Sequence, residues 1–176
     1  RVARCRFEFL GLSGVILNGG DRKTLTPGSN VVEDCVFRDF ARVNRTYESA
    51  VKVSGCGNRV SRCRISDAPH TGIFYWGNDH LLEDNELSGI LRECGDAGAF
   101  YTGRDPTSRG NVLRGNYVHD CGTLGLKTAN VMGFYLDDCD YGDALVSNRV
   151  ERVPRGILLG GGQDNHLVGN RFTDCD

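Results

Sequence analysis

A repeat of about ten residues constrains the fold of this chain more than any other feature of the sequence. It reads Asn, any residue, an apolar residue, two further residues, Asn or Cys, any residue, an apolar residue, any residue, and then often Asp. The fullest copies span residues 30–39, 58–67, 111–120 and 165–174, looser copies span 80–89 and 143–152, and a truncated copy spans 2–7. Internal repetition of this kind is typical of a solenoid, in which each unit buries its apolar face only by stacking on its neighbours.

The spacing between copies indicates the size of one solenoid coil. The second Asn or Cys of each copy falls at Cys5, Cys35, Cys63, Asn85, Asn116, Asn148 and Asn170, at intervals of 30, 28, 22, 31, 32 and 22 residues. A coil of 22 residues with variable insertions accounts for these intervals. We expect these residues to stack into an Asn/Cys ladder, with amides bonded to the next amide and Cys as a small buried substitute.

A third short apolar segment follows most copies and completes the coil. These segments are residues 14–17, 50–53, 72–75, 99–102, 133–136 and 156–159. Three short strands per coil predict an all-β fold, a parallel β-helix of about seven coils, and the usual rule for parallel crossovers makes it right-handed. The 24 Gly and single Met suit such a turn-rich protein. We expect one domain over residues 1–176, cut from a longer chain because the sequence starts and stops within the pattern.

Charge and cysteine spacing argue against several classes of function. A formal net charge of −2 without a basic stripe disfavours a nucleic-acid partner, and no apolar run reaches the length of a membrane span. The eight Cys include no Cys-x-x-Cys pair, so neither a zinc site nor another metal or cofactor is predicted. Buried free thiols are expected, although a Cys35–Cys63 bridge, or one among Cys94, Cys121 and Cys139, remains open.

The insertions flank the third strand, which predicts that one face of the solenoid is a binding face. They carry Arg42, Arg45 and Tyr47 among other polar and aromatic residues. Asp96 enters a third strand and Asp137 leaves the next one, so we expect neighbouring coils to bring these carboxylates to about 5–9.5 Å, the range used for glycoside hydrolysis. By contrast, Asp39, Asp67, Asp120 and Asp174 are expected to serve as turn residues that bond backbone N–H groups.

Ten further residues are predicted to contact a polysaccharide or oligosaccharide. Trp76 and Tyr75 are candidates for a sugar platform. Asp105 is equally consistent with a turn, Tyr101 and Tyr135 with core positions, and His70 with a structural role or with tuning of Asp96. His80, His119 and His166 are expected to be structural. The predicted substrate-binding residues are Asp21, Arg22, His70, Tyr75, Trp76, Tyr101, Arg104, Asp105, Tyr135 and Asp138.

Four segments together resemble a known enzyme family. They are GDAGAFYTGRD at 95–105, GFYLDD at 133–138, GGDRKTLTPG at 19–28 and DAPH at 67–70. These phrases are similar to the right-handed parallel β-helix glycoside hydrolases of family 141, which include α-L-fucosidase and xylanase activities on plant cell-wall polysaccharide. The resemblance implies that Asp96 and Asp137 are the catalytic carboxylates and that the protein is extracellular or periplasmic.

The sequence thus favours a glycoside hydrolase acting on a plant or algal-type polysaccharide with a paired-Asp mechanism. One alternative is a polysaccharide lyase or epimerase on the same fold, with Lys23, Lys127 or Arg104 as its base. Another is a non-catalytic binding or structural β-helix within an extracellular assembly.

Overall fold

The described part of the chain consists of short β-strands joined by turns and loops. The computed structural model describes residues 1–123 and 130–175, and no helix among them is long and apolar enough to cross a membrane. The strands, in chain order, are β1 (Val2–Ala3), β2 (Arg6–Glu8), β3 (Val15–Asp21), β4 (Thr26–Pro27), β5 (Val31–Glu33), β6 (Val36–Arg38), β7 (Val51–Gly55), β8 (Arg59–Ser61), β9 (Arg64–Ser66), β10 (Ile73–Tyr75), β11 (Leu81–Glu83), β12 (Glu86–Ser88), β13 (Ala97–Gly103), β14 (Val112–Arg114), β15 (Tyr117–His119), β16 (Val131–Asp137), β17 (Ala144–Val146), β18 (Arg149–Glu151), β19 (Arg155–Leu159), β20 (His166–Val168) and β21 (Arg171–Thr173).

These strands form three seven-stranded sheets that run the length of a solenoid. The first sheet has the order β1-β5-β8-β11-β14-β17-β20, the second β2-β6-β9-β12-β15-β18-β21, and the third β4-β3-β7-β10-β13-β16-β19. Every pairing is parallel except the β3–β4 hairpin, which is built from the insertion of the first coil. Six coils contribute a strand to each of the three sheets and the seventh contributes β20 and β21, which confirms the predicted parallel β-helix.

In-register stacking of apolar residues forms the core. In the first sheet the central residue of each three-residue strand points inward, so that the strands stack Val60, Leu82, Leu113 and Leu145, each fully buried. Burying one such side chain stabilises the fold by roughly 1.5–3 kcal/mol. Phenylalanines of neighbouring coils also stack in the core. The rings of Phe100 and Phe134 are nearly parallel, with their centroids 5.0 Å apart.

The predicted ladder is present and joins four coils through side-chain amides. The Nδ2 of Asn85 donates to Oδ1 of Asn116, that of Asn116 to Asn148 and that of Asn148 to Asn170, at 3.0, 3.0 and 2.9 Å. The Cys63 N–H donates to Oδ1 of Asn85 at 3.0 Å, which extends the ladder into the cysteine corner. Cysteines continue it as predicted, and all eight are free thiols.

A second ladder, which we did not predict, runs along the corner before the first sheet. Its members are Asn30, Asn58, His80, Asn111, Asp143 and Asn165, each accepting a hydrogen bond from the backbone N–H of the preceding member or, for Asn30, donating to the next. His80 Nδ1 accepts from Asn58 at 3.1 Å while Nε2 lies 3.2 Å from the Trp76 carbonyl. Nε2 therefore carries the proton, and burial lowers the pKa of His80. His80 is structural, as expected.

The corner aspartates occupy turns but use different partners from those predicted. Asp39, Asp67, Asp120 and Asp174 have φ of 50°, 58°, 51° and 52°, a left-handed conformation that Asp tolerates better than most residues. The carboxylates of Asp67 and Asp120 pair with arginines of neighbouring coils rather than with backbone N–H groups. Asp67 binds Arg92 at 2.6 Å, and Asp120 binds the guanidinium of Arg152 with both oxygens.

Candidate functional site

The outward face of the third sheet carries a row of aromatic side chains. Register pairs Phe74 with Tyr101 and Tyr101 with Tyr135, one residue from each of three neighbouring coils. Their ring centroids are 5.2 and 5.1 Å apart. Tyr101 and Tyr135, which the sequence left open between core and surface, therefore face outward, while Phe100 and Phe134 beside them face the core.

Asp137 lies at the end of β16, on the same outward face as Tyr135 two residues earlier. Its Oδ2 accepts a hydrogen bond from the Tyr101 hydroxyl at 2.7 Å, and its Oδ1 accepts from the backbone N–H of Asp138 at 2.9 Å. The residue is only 4% exposed. It stands opposite Gly103, where a Cβ would lie 2.7 Å from the Asp137 Cβ, so glycine provides the space for this carboxylate.

Asp96 lies at the opposite end of the neighbouring strand, immediately before β13. It is exposed, has φ of 72°, and its N–H donates to the Asn130 carbonyl of the next coil. The Tyr135 hydroxyl donates to its Oδ1 at 3.1 Å. The chain passes close to Tyr135 here, since a Cβ on Gly98 would lie 2.6 Å from the Tyr135 Cβ.

The two tyrosines connect the two aspartates in a crossed arrangement. Tyr101 of β13 binds Asp137 of β16, whereas Tyr135 of β16 binds Asp96, which precedes β13. Burial, followed by hydrogen bonding to Asp137 and to Asp96, raises the pKa of Tyr135. The two hydroxyls belong to neighbouring rings whose centroids are 5.1 Å apart, so adjacent side chains hold the two carboxylates.

The sequence analysis attributed the approach of Asp96 and Asp137 to the spacing of adjacent coils, and this explanation was wrong. Asp96 and Asp137 are not equivalent positions of adjacent coils, because Asp137 is paired with Gly103 and Asp96 opposes Asn130. The long tyrosine side chains and the close approach at Gly98 bring the carboxylates into one cluster, which strand spacing alone does not.

Arg104 and Asp138 form the exposed edge of this cluster. The Arg104 Nε lies 3.6 Å from Oδ2 of Asp137 and 3.5 Å from Oδ2 of Asp138. The Arg104 side chain is 69% exposed, so most of its guanidinium remains available to solvent or to a ligand. Burial and the Asp137 hydrogen bond raise the pKa of Tyr101, which favours its role as a donor to the carboxylate.

An aromatic cleft adjoins the carboxylate cluster. An open cavity of about 270 Å³ is lined by residues that include Tyr47, Phe74, Trp76, Tyr101 and Arg104. The 64%-exposed Tyr47 stands over the row of rings, since its centroid lies 6.2 Å from that of Phe74. From the sequence we placed Tyr47 only in an insertion, and we did not predict Phe74 as a residue of the cleft. Phe74 could have been found from strand alternation, because it and Tyr75 must face opposite sides of the sheet.

Two of the predicted substrate contacts are placed differently by the structure. Tyr75 is fully buried because alternation along β10 turns it inward and Phe74 outward, so its assignment to a sugar platform was wrong. His70 is 5% exposed and packs against both Tyr47 and Phe74, with ring centroids 5.3 and 6.1 Å away. Burial lowers the pKa of His70, and within the described residues its ring contacts Thr71 rather than Asp96.

Asp21, Arg22 and Asp105 belong to a clamp between loops. Arg22, from the first coil, donates to Asn78 at 2.8 Å and pairs with Asp105 at 2.9 Å. Asp105 also accepts from the Thr107 N–H at 3.0 Å, which is the turn role that its sequence allowed. Asp21 accepts from the backbone N–H two residues later. These side chains brace the loops beside the cleft instead of extending the carboxylate cluster.

The structure does not place a metal site or the predicted lyase base Lys23 at the carboxylate cluster. No group of three or more His, Cys, Asp or Glu side chains with metal-binding geometry occurs in residues 1–123 and 130–175. Lys23 is exposed on the loop of the first coil, and Lys127 lies outside the described residues.

Comparison with known proteins assigns the fold family. The model of a family described as "Right handed beta helix region" matches residues 1–172. The chain belongs to the right-handed β-helix family. A solved structure described as "Glycoside hydrolase" is similar with a TM-score of 0.65 and 15% sequence identity, over 99% of this chain and 32% of that one. This chain therefore spans about a third of the length of the matched structure. No curated protein sequence matches the chain.

Proposed function

We propose that this β-helix is a glycoside hydrolase that acts on a plant or algal-type polysaccharide outside the cell or in the periplasm, with Asp96 and Asp137 as its carboxylate pair. The observation that carries the proposal is the crossed tyrosine–carboxylate cluster, in which Tyr101 and Tyr135 hold the two aspartates near each other. Carboxylate pairs that cleave glycosidic bonds lie about 5–9.5 Å apart, and the proposal requires Asp96 and Asp137 to fall in this range. The likeness of fold to a glycoside hydrolase is consistent with it.

The surroundings of the two carboxylates suggest different roles. Asp137 is buried and held by Tyr101, by a backbone N–H and by Arg104, so its oxygens are fixed in position. A fixed carboxylate suits a nucleophile or a stabiliser of the oxocarbenium-like transition state. Asp96 is exposed and bonded by one hydroxyl, so a leaving-group oxygen can reach it, and we assign it the role of general acid.

The aromatic cleft supplies the proposed sugar-binding surface. Trp76 is 39% exposed and Tyr47 is 64% exposed, and both line the cavity that reaches Arg104. The faces of sugar rings carry C–H groups that pack on aromatic rings, while hydroxyls bond to charged side chains. The cleft thus continues directly into the carboxylate cluster through Tyr101.

Substitution of each aspartate tests the proposal. We expect Asp96→Asn and Asp137→Asn each to lower the release of fucose from pectin or xylose from xylan by about 10²–10⁴-fold, the contribution of a positioned acid or base. Asp105→Asn, a turn residue, is the matched control and should retain most activity. Circular dichroism establishes that each variant is folded.

Full activity in both variants would refute the assignment. An ultraviolet-absorbing, unsaturated product would instead indicate a lyase, and sugar binding without any product would indicate a binding module.

A further inference from the structure

A second polar cluster lies inside the solenoid, away from the cleft. Tyr75, Asp140 and Asp143 are fully buried and Thr102 is 2% exposed. Five of their oxygens have no hydrogen-bond partner among the described residues: the Tyr75 hydroxyl, the Thr102 hydroxyl, both oxygens of Asp140 and Oδ2 of Asp143. Buried polar atoms are nearly always paired, so five unpaired oxygens in one region need an explanation.

These oxygens belong to one neighbourhood. Tyr75 and Thr102 directly follow Phe74 and Tyr101, which are paired on adjacent strands, and Asp140 and Asp143 are three residues apart. The Nδ2 of Asn111 donates both to the Gly77 carbonyl, two residues after Tyr75, and to Oδ1 of Asp143, so Asp143 lies beside the end of β10. Tyr75, Thr102, Asp140 and Asp143 come from the third, fourth, fifth and sixth coils, respectively. Four consecutive coils thus each direct an oxygen ligand towards the same interior region.

Asp143 departs from the chemistry of its own ladder. Four of the six members of the second ladder are Asn, and the amides of Asn111 and Asn165 donate to buried carbonyls at 3.2 and 3.0 Å. Asp143 keeps the acceptor role of the ladder, because its Oδ1 receives both the N–H and the Nδ2 of Asn111. Its second oxygen cannot donate as an amide does and is left unpaired.

Among the residues that the structure describes, no cationic side chain pairs with the carboxylates of this region. No Arg, Lys or His of the described residues pairs with Asp140 or Asp143, although carboxylates elsewhere on the solenoid pair with arginines. Two neighbouring carboxylates in a low-dielectric interior are costly unless a cation accompanies them.

We propose that Tyr75, Thr102, Asp140 and Asp143 form an interior binding site for a divalent hard cation, with Ca²⁺ as the fitting ion. The unpaired ligands are all oxygens, which Ca²⁺ prefers, and no nitrogen or sulfur ligand is among them. Two carboxylates balance its charge. The ion would cross-link four coils beneath the third sheet, so its role is structural, and the site is independent of the proposed hydrolase function.

Calcium titration followed by thermal unfolding tests the site. After dialysis against a chelator, we expect Ca²⁺ at about a hundredfold excess over its dissociation constant to raise the melting temperature by about 5–10 °C. Metal analysis should find about one Ca²⁺ per chain, since the site offers one set of ligands. Tb³⁺ in place of Ca²⁺ should show luminescence excited through a tyrosine, and Tyr75→Phe should abolish most of it.

Asp143→Asn is the most informative variant because Asn is the usual residue of this ladder, so the fold should be retained. We expect Asp143→Asn and Asp140→Asn to lose the calcium-dependent rise in melting temperature, whereas Asp164→Asn, an exposed aspartate, should keep it. An unchanged melting temperature with no bound metal in the parent protein would overturn the proposal. An equal calcium effect in Asp140→Asn, Asp143→Asn and the parent protein would also overturn it.

Discussion

Removing the Asn116 side chain measures how much the amide ladder contributes to the stability of the solenoid. Asn116 is 1% exposed and sits in the middle of the ladder. Its Oδ1 accepts from the N–H and the Nδ2 of Asn85, both at 3.0 Å. Its Nδ2 donates to the Leu82 carbonyl at 2.9 Å and to Oδ1 of Asn148 at 3.0 Å. Asn116→Ala therefore removes four buried hydrogen bonds at once.

The expected loss follows from what each former partner retains. The Nδ2 of Asn85 still donates to the Val60 carbonyl, and Oδ1 of Asn148 still accepts from the residue 116 N–H. The Asn85 N–H loses its acceptor inside the core, which costs about 1–3 kcal/mol, and each other lost bond costs about 0.5–1.5 kcal/mol. We expect a net decrease of about 3–5 kcal/mol in the free energy of unfolding, equivalent to about 10–15 °C in melting temperature.

Urea unfolding monitored by circular dichroism provides the measurement, with thermal melts alongside. Asn170→Ala is the matched control, because Asn170 accepts the same two bonds from Asn148 but is only half-buried. Water can replace its amide, so we expect a loss of about 1 kcal/mol there. Equal losses at both positions, or a loss below about 1 kcal/mol for Asn116→Ala, would refute the argument that burial gives the ladder its stabilising effect.

Two further substitutions probe the corners and the cleft. Hydrogen bonds from Arg152 and then His119 hold the pKa of Asp120 well below its usual 3.8. The ionised Asp120 carboxylate therefore stabilises the fold above about pH 4, and this stabilisation is lost as the pH falls below 3.8. We expect Asp120→Asn to lower the free energy of unfolding by about 0.5–1 kcal/mol at pH 7 and by progressively less in acid. Urea unfolding at a series of pH values measures this difference. Gly98→Ala should displace Tyr135 and lower hydrolytic activity, whereas Gly95→Ala, whose Cβ meets nothing within 4 Å, should leave it unchanged in the same sugar-release assay.

The sequence determined the solenoid because the coil repeat is a local pattern. Each copy places one apolar residue at the centre of a three-residue strand and one Asn or Cys at a corner, and stacking alone turns this pattern into three sheets and a ladder. The ladder at Asn85, Asn116 and Asn148 could be predicted because the same residue type recurs in register. The ladder through His80 and Asp143 was missed because chemically different side chains accept the same backbone N–H there.

The candidate site required the tertiary structure. Asp96 and Asp137 were identified from their sequence neighbourhood, but the sequence does not encode how the opposite ends of two strands approach each other. Two tyrosines that reach across neighbouring coils decide it. The same applies to Tyr75, whose direction depends on one step of strand alternation and which lies in the core rather than in the cleft. The stacking of coils follows from residues that lie close together in the repeat, so the sequence reveals it. The contacts of long side chains depend instead on the register between coils and on local departures from regular strands.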